Sequence, residues 1–179
     1  MKRGILRSKD LAEDLLKLPP RYESNCELTD TFVNLNDMAT HAARLAHLFT
    51  PAYASRINAQ IVYPSISHVV KPNELESALA RPLHVSVYEP HRRAVYLAAT
   101  LSYGIIKGHP FMDGNKRTAF FLANEYLRAQ GMPGLAGVGK VGVGHDDLIN
   151  LADLFIDTAA GRLNVEGLEA RIGGDECLE

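Results

Sequence analysis

The sequence predicts an all-α domain organised around a central helix-loop-helix. Three observations carry this. Apolar residues recur at helical spacing in at least five segments, most of them bounded by Gly, Pro or a capping residue. Strand-like alternation is confined to short stretches, chiefly Leu83 to Glu89. No internal repeat and no linker divides the 179 residues, a length that suits one domain with a sizeable core.

From the N-terminus, residues 8–18 read as a short amphipathic helix. Ser8 stands at its cap, Leu11, Leu15, Leu16 and Leu18 form its apolar side, and Pro19-Pro20 ends it. Such a helix is either a docking arm or a cover for the core, and covers are commoner. Residues 21–34 read as irregular, with a brief extended piece at 31–33. A helix over 36–49 turns Met38, Ala42, Leu45, Ala46 and Phe49 inward and stops at Pro51. His41 and His47 on it stand six apart, not the three or four that shared-face metal ligands need. Residues 52–72 carry weak signals, and Ile61-Val62-Tyr63-Pro64 reads as a strand or a buried loop.

Asn73 with Glu76 three residues on gives a capping-box pattern for a helix to Ala80, stopped by Arg81-Pro82. Residues 83–89 alternate apolar with polar and read as extended. Residues 90–107 form a nearly all-apolar helix, with Pro90 in the first turn and Gly108 as a left-handed stop. Residues 115–130 form another, closed by Gly131. The glycine-rich connection that follows includes Gly139-Lys140-Val141-Gly142, which lacks phosphate-loop spacing. Helices over 146–160 and 164–172 precede a frayed tail, 173–179. The expected organisation is an N-terminal helical extension, 1–60, packed on a main domain, 61–172.

Composition narrows the class. A formal net charge of −2 without basic runs gives no pull toward nucleic acid or an anionic membrane, so neither is an expected partner. Cys26 and Cys177 lie near opposite ends, which suits a reducing, cytoplasmic setting better than a disulfide framework. Met1-Lys2-Arg3-Gly4 begins basic, but no apolar segment follows, so no secretory signal is expected. The apolar run Ala94 to Ile106 is broken by polar residues and too short to span a bilayer.

Between the two central helices stands His109-Pro110-Phe111-Met112-Asp113-Gly114-Asn115-Lys116-Arg117. The first amides of a helix lack partners, and its dipole makes that end positive. A glycine loop lets backbone N–H groups turn toward an anion. Lys116 and Arg117 sit at the wrong end for the dipole, which costs roughly a few tenths of a kcal/mol unless a phosphate answers them. Asp113 supplies the hard oxygen that Mg²⁺ prefers, and His109 a base near neutral pH. The pattern points to phosphate chemistry beside a proton acceptor, although each residue alone would more often be a capped, solvated turn.

This string closely resembles the signature of the Fic/Doc (Fido) family, His-x-Phe-x-Asp/Glu-Gly/Ala-Asn-Gly/Lys-Arg. Thr118-Ala119 resembles the Doc-type branch, and the resemblance runs from about residue 70 to 171, including Leu75-Glu76-Ser77-Ala78-Leu79-Ala80-Arg81-Pro82. It implies the family's helical fold with a short β-hairpin flap beside the site, placed here at His84, Val85, Ser86, Val87 and Tyr88. It implies transfer of a phosphate-containing group from ATP, with Mg²⁺, onto a Ser or Thr hydroxyl of a target protein. His109 would take the hydroxyl proton, and Asp113 would bind Mg²⁺. Gly114, Asn115, Lys116 and Arg117 would cradle phosphate, with Arg117 also catalytic, and Phe111 would anchor the loop. AMP-transferring members usually carry Gly where Lys116 stands, and many carry Arg where Phe120 stands, so phosphorylation is favoured over AMP transfer. Gly114, where Doc often has Ala, leaves that choice open, and a silent nucleotide-binding scaffold or transfer of another phosphate-linked group are the further alternatives. The family's inhibitory Ser/Thr-x-x-x-Glu-Gly/Asn pattern has no match, since Arg162 precedes Glu166-Gly167 by four. Any restraint would come from an inhibitory partner protein or from the N-terminal arm.

Overall fold

A computed structural model of the chain describes residues 35–135 and 145–172. The expected helix at 8–18, the extended piece at 31–33, most of the glycine-rich connection and the tail lie outside the described residues.

The described residues form seven helices: α1 Leu35–Leu48, α2 Pro51–Val62, α3 Pro72–Tyr88, α4 Ala94–Gly108, α5 Asn115–Arg128, α6 His145–Ala160 and α7 Val165–Ile172. The most apolar helix, α4, lies at the centre, packed against α3, α5 and α7. Its Leu97, Leu101 and Ile105 are fully buried, each contributing about 1.5–3 kcal/mol. The core is one cluster running from Ala42 of α1 and Phe49 just after it to Leu168 of α7. No described helix is long and apolar enough to cross a membrane.

Antiparallel α3 and α4 come unusually close, because small residues face each other. A Cβ on Gly104 would lie 2.8 Å from the Ala78 Cβ, and one on Gly108 would lie 3.2 Å from the Glu74 Cβ. Across the other face of α4, the Ser102 hydroxyl donates to the Ala119 carbonyl of α5 at 3.0 Å.

Several expectations need correction. Pro51 starts a helix instead of only ending one. Thr50 is its N-cap, accepting from the Tyr53 N–H at 3.2 Å, with Pro51 in the first turn, so the weak stretch after 52 is helical to Val62. Asn73 is not a cap, because α3 starts at Pro72 behind Lys71.

The largest correction concerns 83–89. No hairpin exists there, and among the described residues there is no strand. The helix passes through Pro82 and continues to Tyr88. Interior proline costs about 3 kcal/mol. Against it stands a buried stripe at helical spacing, Leu75, Ala78, Leu79, Pro82 and Ser86, flanked by the half-buried Leu83 and Val85. Burying two or three such side chains outweighs the proline, at about 1.5–3 kcal/mol each. The helix of 90–107 starts only at Ala94, because 89–93 form a turn in which Arg92 pairs with Glu89 at 2.8 Å.

Gly104→Ala should destabilise the protein by about 1–2 kcal/mol. The helix-propensity gain of about 1 kcal/mol is smaller than the cost of parting α3 from α4. The midpoint of urea unfolding measures it, and an unchanged or raised midpoint contradicts the close approach.

Candidate active site

The loop between α4 and α5 is built from both ends. At its start His109 caps α4 in the left-handed region, φ 47 and ψ 56, with its N–H donating to the Ile105 carbonyl at 3.2 Å. Gly108 was expected in that conformation, but it remains helical where α3 passes close, and Lys71 Nζ donates to its carbonyl at 3.1 Å. A non-glycine residue held there stores about 1–3 kcal/mol. His tolerates the region better than most, and its imidazole is exposed.

Phe111 is 2% exposed and drives its ring into the core. Asn115 clasps the Phe111 backbone from both sides: its Oδ1 accepts from the Phe111 N–H at 3.0 Å, and its Nδ2 donates to the Phe111 carbonyl at 2.7 Å. Those two bonds fix the amide's orientation and bring Nδ2 to 3.4 Å from His109 Nδ1. The side-chain amide of Asn115, a residue expected to cradle phosphate, is engaged within the loop, where it sets the edge of the imidazole. Asn115 is buried.

At the far end Gly114 is the N-cap of α5, at φ 76 and ψ 8. Its conformation favours glycine, and space demands it: a Cβ would lie 2.8 Å from both Asn58 Nδ2 and Val62 Cγ1 of α2. With no capping side chain, the first amides of α5 keep their donor capacity at the positive end of a 14-residue helix. Gly114 N–H donates to Asp113 Oδ1 at 2.6 Å, and Asp113 Oδ2 lies 3.7 Å from Arg117 Nη2. The Arg117 side chain is 15% exposed and turned inward, where Nη1 donates to the Ile61 carbonyl at 3.1 Å. Lys116 is half-buried one residue earlier. A divalent cation would find one carboxylate here. Among the described residues no group of three or more His, Cys, Asp or Glu could hold it alone.

Two features escaped the sequence. Asn58, in mid α2, donates from Nδ2 to the Asp113 carbonyl at 2.9 Å and to Thr118 Oγ1 at 3.0 Å. A polar residue inside a helix was its only signal. The other is an extended edge beside the loop. Val69 forms an isolated antiparallel bridge with Phe111, Val70 N–H donates to the Pro110 carbonyl at 2.8 Å, and Met112 N–H donates to the His68 carbonyl at 2.9 Å. By contrast His84, Val85, Ser86, Val87 and Tyr88 are not brought to the loop. The N-terminal part of α3 touches Gly108 through Glu74, and these residues lie about 15–21 Å further along its axis.

Gly114→Ala and Gly131→Ala separate conformation from space. Both glycines have positive φ, 76 and 79, but nothing lies within 4 Å of a Cβ on Gly131. Unfolding free energy should fall by about 1 kcal/mol at Gly131 and by about 2–4 kcal/mol at Gly114. Equal losses would mean that α2 does not press on the turn.

A sequence model of the Fic/DOC family matches residues 33–127, from before α1 to the last turn of α5, including the whole loop. The match begins well ahead of residue 61, where the main domain was expected to start, and ends before α6. No curated protein and no solved structure matches the chain.

Proposed function

The chain belongs to the Fic/DOC family, and from that premise we propose that it transfers the γ-phosphoryl group of ATP to a Ser or Thr hydroxyl of a target protein. One observation carries the reading: a loop holding Asp113 and Arg117 3.7 Å apart at an uncapped helix N-terminus, with an exposed His109 bound into the same loop through Asn115.

The residues fit a nucleotide with Mg²⁺. A single carboxylate is the share that Mg²⁺ commonly takes from protein, the rest being water and phosphate oxygen. Asp113 would hold the ion, which would supply positive charge to offset that of the phosphates. Arg117 would exchange part of its pairing with Asp113 for phosphate oxygens, which its fork matches. The first amides of α5 would bind the same oxygens. His109 takes the proton of the target hydroxyl as that oxygen bonds to the γ-phosphorus. The bond from that phosphorus to the β–γ bridging oxygen breaks, and ADP leaves.

Phosphoryl transfer is preferred to AMP transfer because of Lys116 and Phe120. Phe120 is buried edge-on against Phe155, with ring centroids 5.5 Å apart, so no second cation stands there. Gly114 does not argue for either branch, because the contact with α2 demands glycine. Alignment of the target by backbone pairing falls to the edge at 68–70. That edge is flanked by the exposed Ile66, Val70 and Met112. Glu166 accepts from the Tyr96 hydroxyl at 3.4 Å, near the opposite end of α4 from His109, which fits a site without a built-in inhibitory glutamate. Restraint would then fall to a partner protein.

ATP labelled at the α or the γ position, incubated in parallel with the protein, Mg²⁺ and a cell extract, tests the reading. Label should pass to protein from the γ position only; transfer of α label would make this an AMP-transferase, and no transfer from either would favour a silent scaffold. His109→Ala should lower transfer by about 10²–10⁴-fold, with circular dichroism unchanged.

A further inference from the structure

We propose that Asn58 is the positioning residue that aims the Asp113 carboxylate at Mg²⁺, an inference that rests on the functional reading above. Asn58 is 1% exposed, and its side chain engages three separate segments of chain. The two Nδ2 hydrogens go to opposite sides of the Gly114 turn, to the Asp113 carbonyl at 2.9 Å and to Thr118 Oγ1 at 3.0 Å. Its Oδ1 accepts from the Ser67 hydroxyl, on the segment whose next residues pair with the loop backbone.

These contacts demand two donors and one acceptor from one short side chain. Asp offers no donor, Ser offers only one, and Gln is a methylene too long. The geometric consequence falls on the peptide between Asp113 and Gly114. With its carbonyl drawn to Asn58, its N–H faces Asp113 Oδ1 at 2.6 Å, so one carboxylate oxygen is tied down and Oδ2 is left toward Arg117. Asn58 touches neither nucleotide nor reacting atoms. It acts through the backbone, as partners behind metal-binding carboxylates do. Ser67 carries the same restraint to the edge at 68–70, so the loop and the target-aligning edge share one buried amide.

The test uses the full chain and calorimetric titration of Mg²⁺ with AMP-PNP, which requires no target protein. Asn58→Ala and Asn58→Leu should raise the half-saturating Mg²⁺ concentration about tenfold or more, while metal-free AMP-PNP binding changes less than about twofold. Leu keeps the branched heavy-atom skeleton of Asn without its hydrogen bonds, so a merely space-filling role would leave its Mg²⁺ dependence at the wild-type value and overturn the proposal. Should neither variant fold, Thr118→Val decides: a shift of about threefold, the worth of one ordinary hydrogen bond, supports it, and none overturns it. Amide exchange at Gly114 gives a readout independent of nucleotide, and it should quicken in these variants while global stability accounts for none of the change. Wild-type protein that binds no Mg²⁺·AMP-PNP overturns the functional reading. The exchange at Gly114 then still decides whether Asn58 holds the turn.

Discussion

The left-handed turn at Gly114, wedged against α2, is the constraint on which the site depends. It reverses the chain between a carbonyl held by Asn58 and the start of α5, so that the exposed Asp113 carboxylate and the buried Asn115 can lie two positions apart. Remove the room that glycine leaves, and either α2 moves or the turn opens. Each alternative would carry Asp113 away from Arg117, and with it the pairing of acid and base that a charged ligand would have to enter.

Rigidity at this turn is set against strain at the other end of the loop. His109 stands in a conformation that costs a non-glycine residue free energy. Burial of Phe111 offsets it, together with the two Asn115 bonds and the backbone pairing with 68–71. The loop is thus anchored by an aromatic ring and by two carboxamides, Asn115 at the start of α5 clasping Phe111 and Asn58 of α2 holding Asp113. The Asp113 carboxylate is left at the surface and Lys116 and Arg117 are only partly covered, while the neutral amides that shape the loop, Asn58 and Asn115, are inside. That division follows from desolvation, since buried amides can be satisfied by hydrogen bonds but buried ions rarely can.

The helices behind the loop explain why it is held so firmly. α4 ends and α5 begins within a few residues, and the close approach of α3 to α4 through Ala78 and Gly104 leaves little freedom for either to slide. At the other end of α4, Tyr96 bonds Glu166 of α7, and Arg92 lies 3.9 Å over the Tyr96 ring. Burial pushes the Tyr96 hydroxyl and the Glu169 carboxyl above their ordinary pKa values there. These groups serve helix docking, remote from the loop.

By itself the sequence determined the helical class, the two central helices and the identity of the loop, because periodicity, Gly and Pro punctuation and a nine-residue motif are all local signals. The resemblance of that motif also implied that Phe111 would anchor the loop, and the ring is buried. Only the tertiary structure decided that Pro51 opens a helix and that Pro82 does not break one. At Pro82 buried packing outweighed what the neighbouring residues prefer, whereas at Pro51 the Thr50 cap and the first-turn proline agree with the helix that the structure shows. It alone decided that the extended edge is 68–70 instead of 83–89, since strand pairing needs a partner, and the partner is the loop itself. And it alone brought Asn58 to the turn, 55 residues away along the chain, where no local pattern could have announced it.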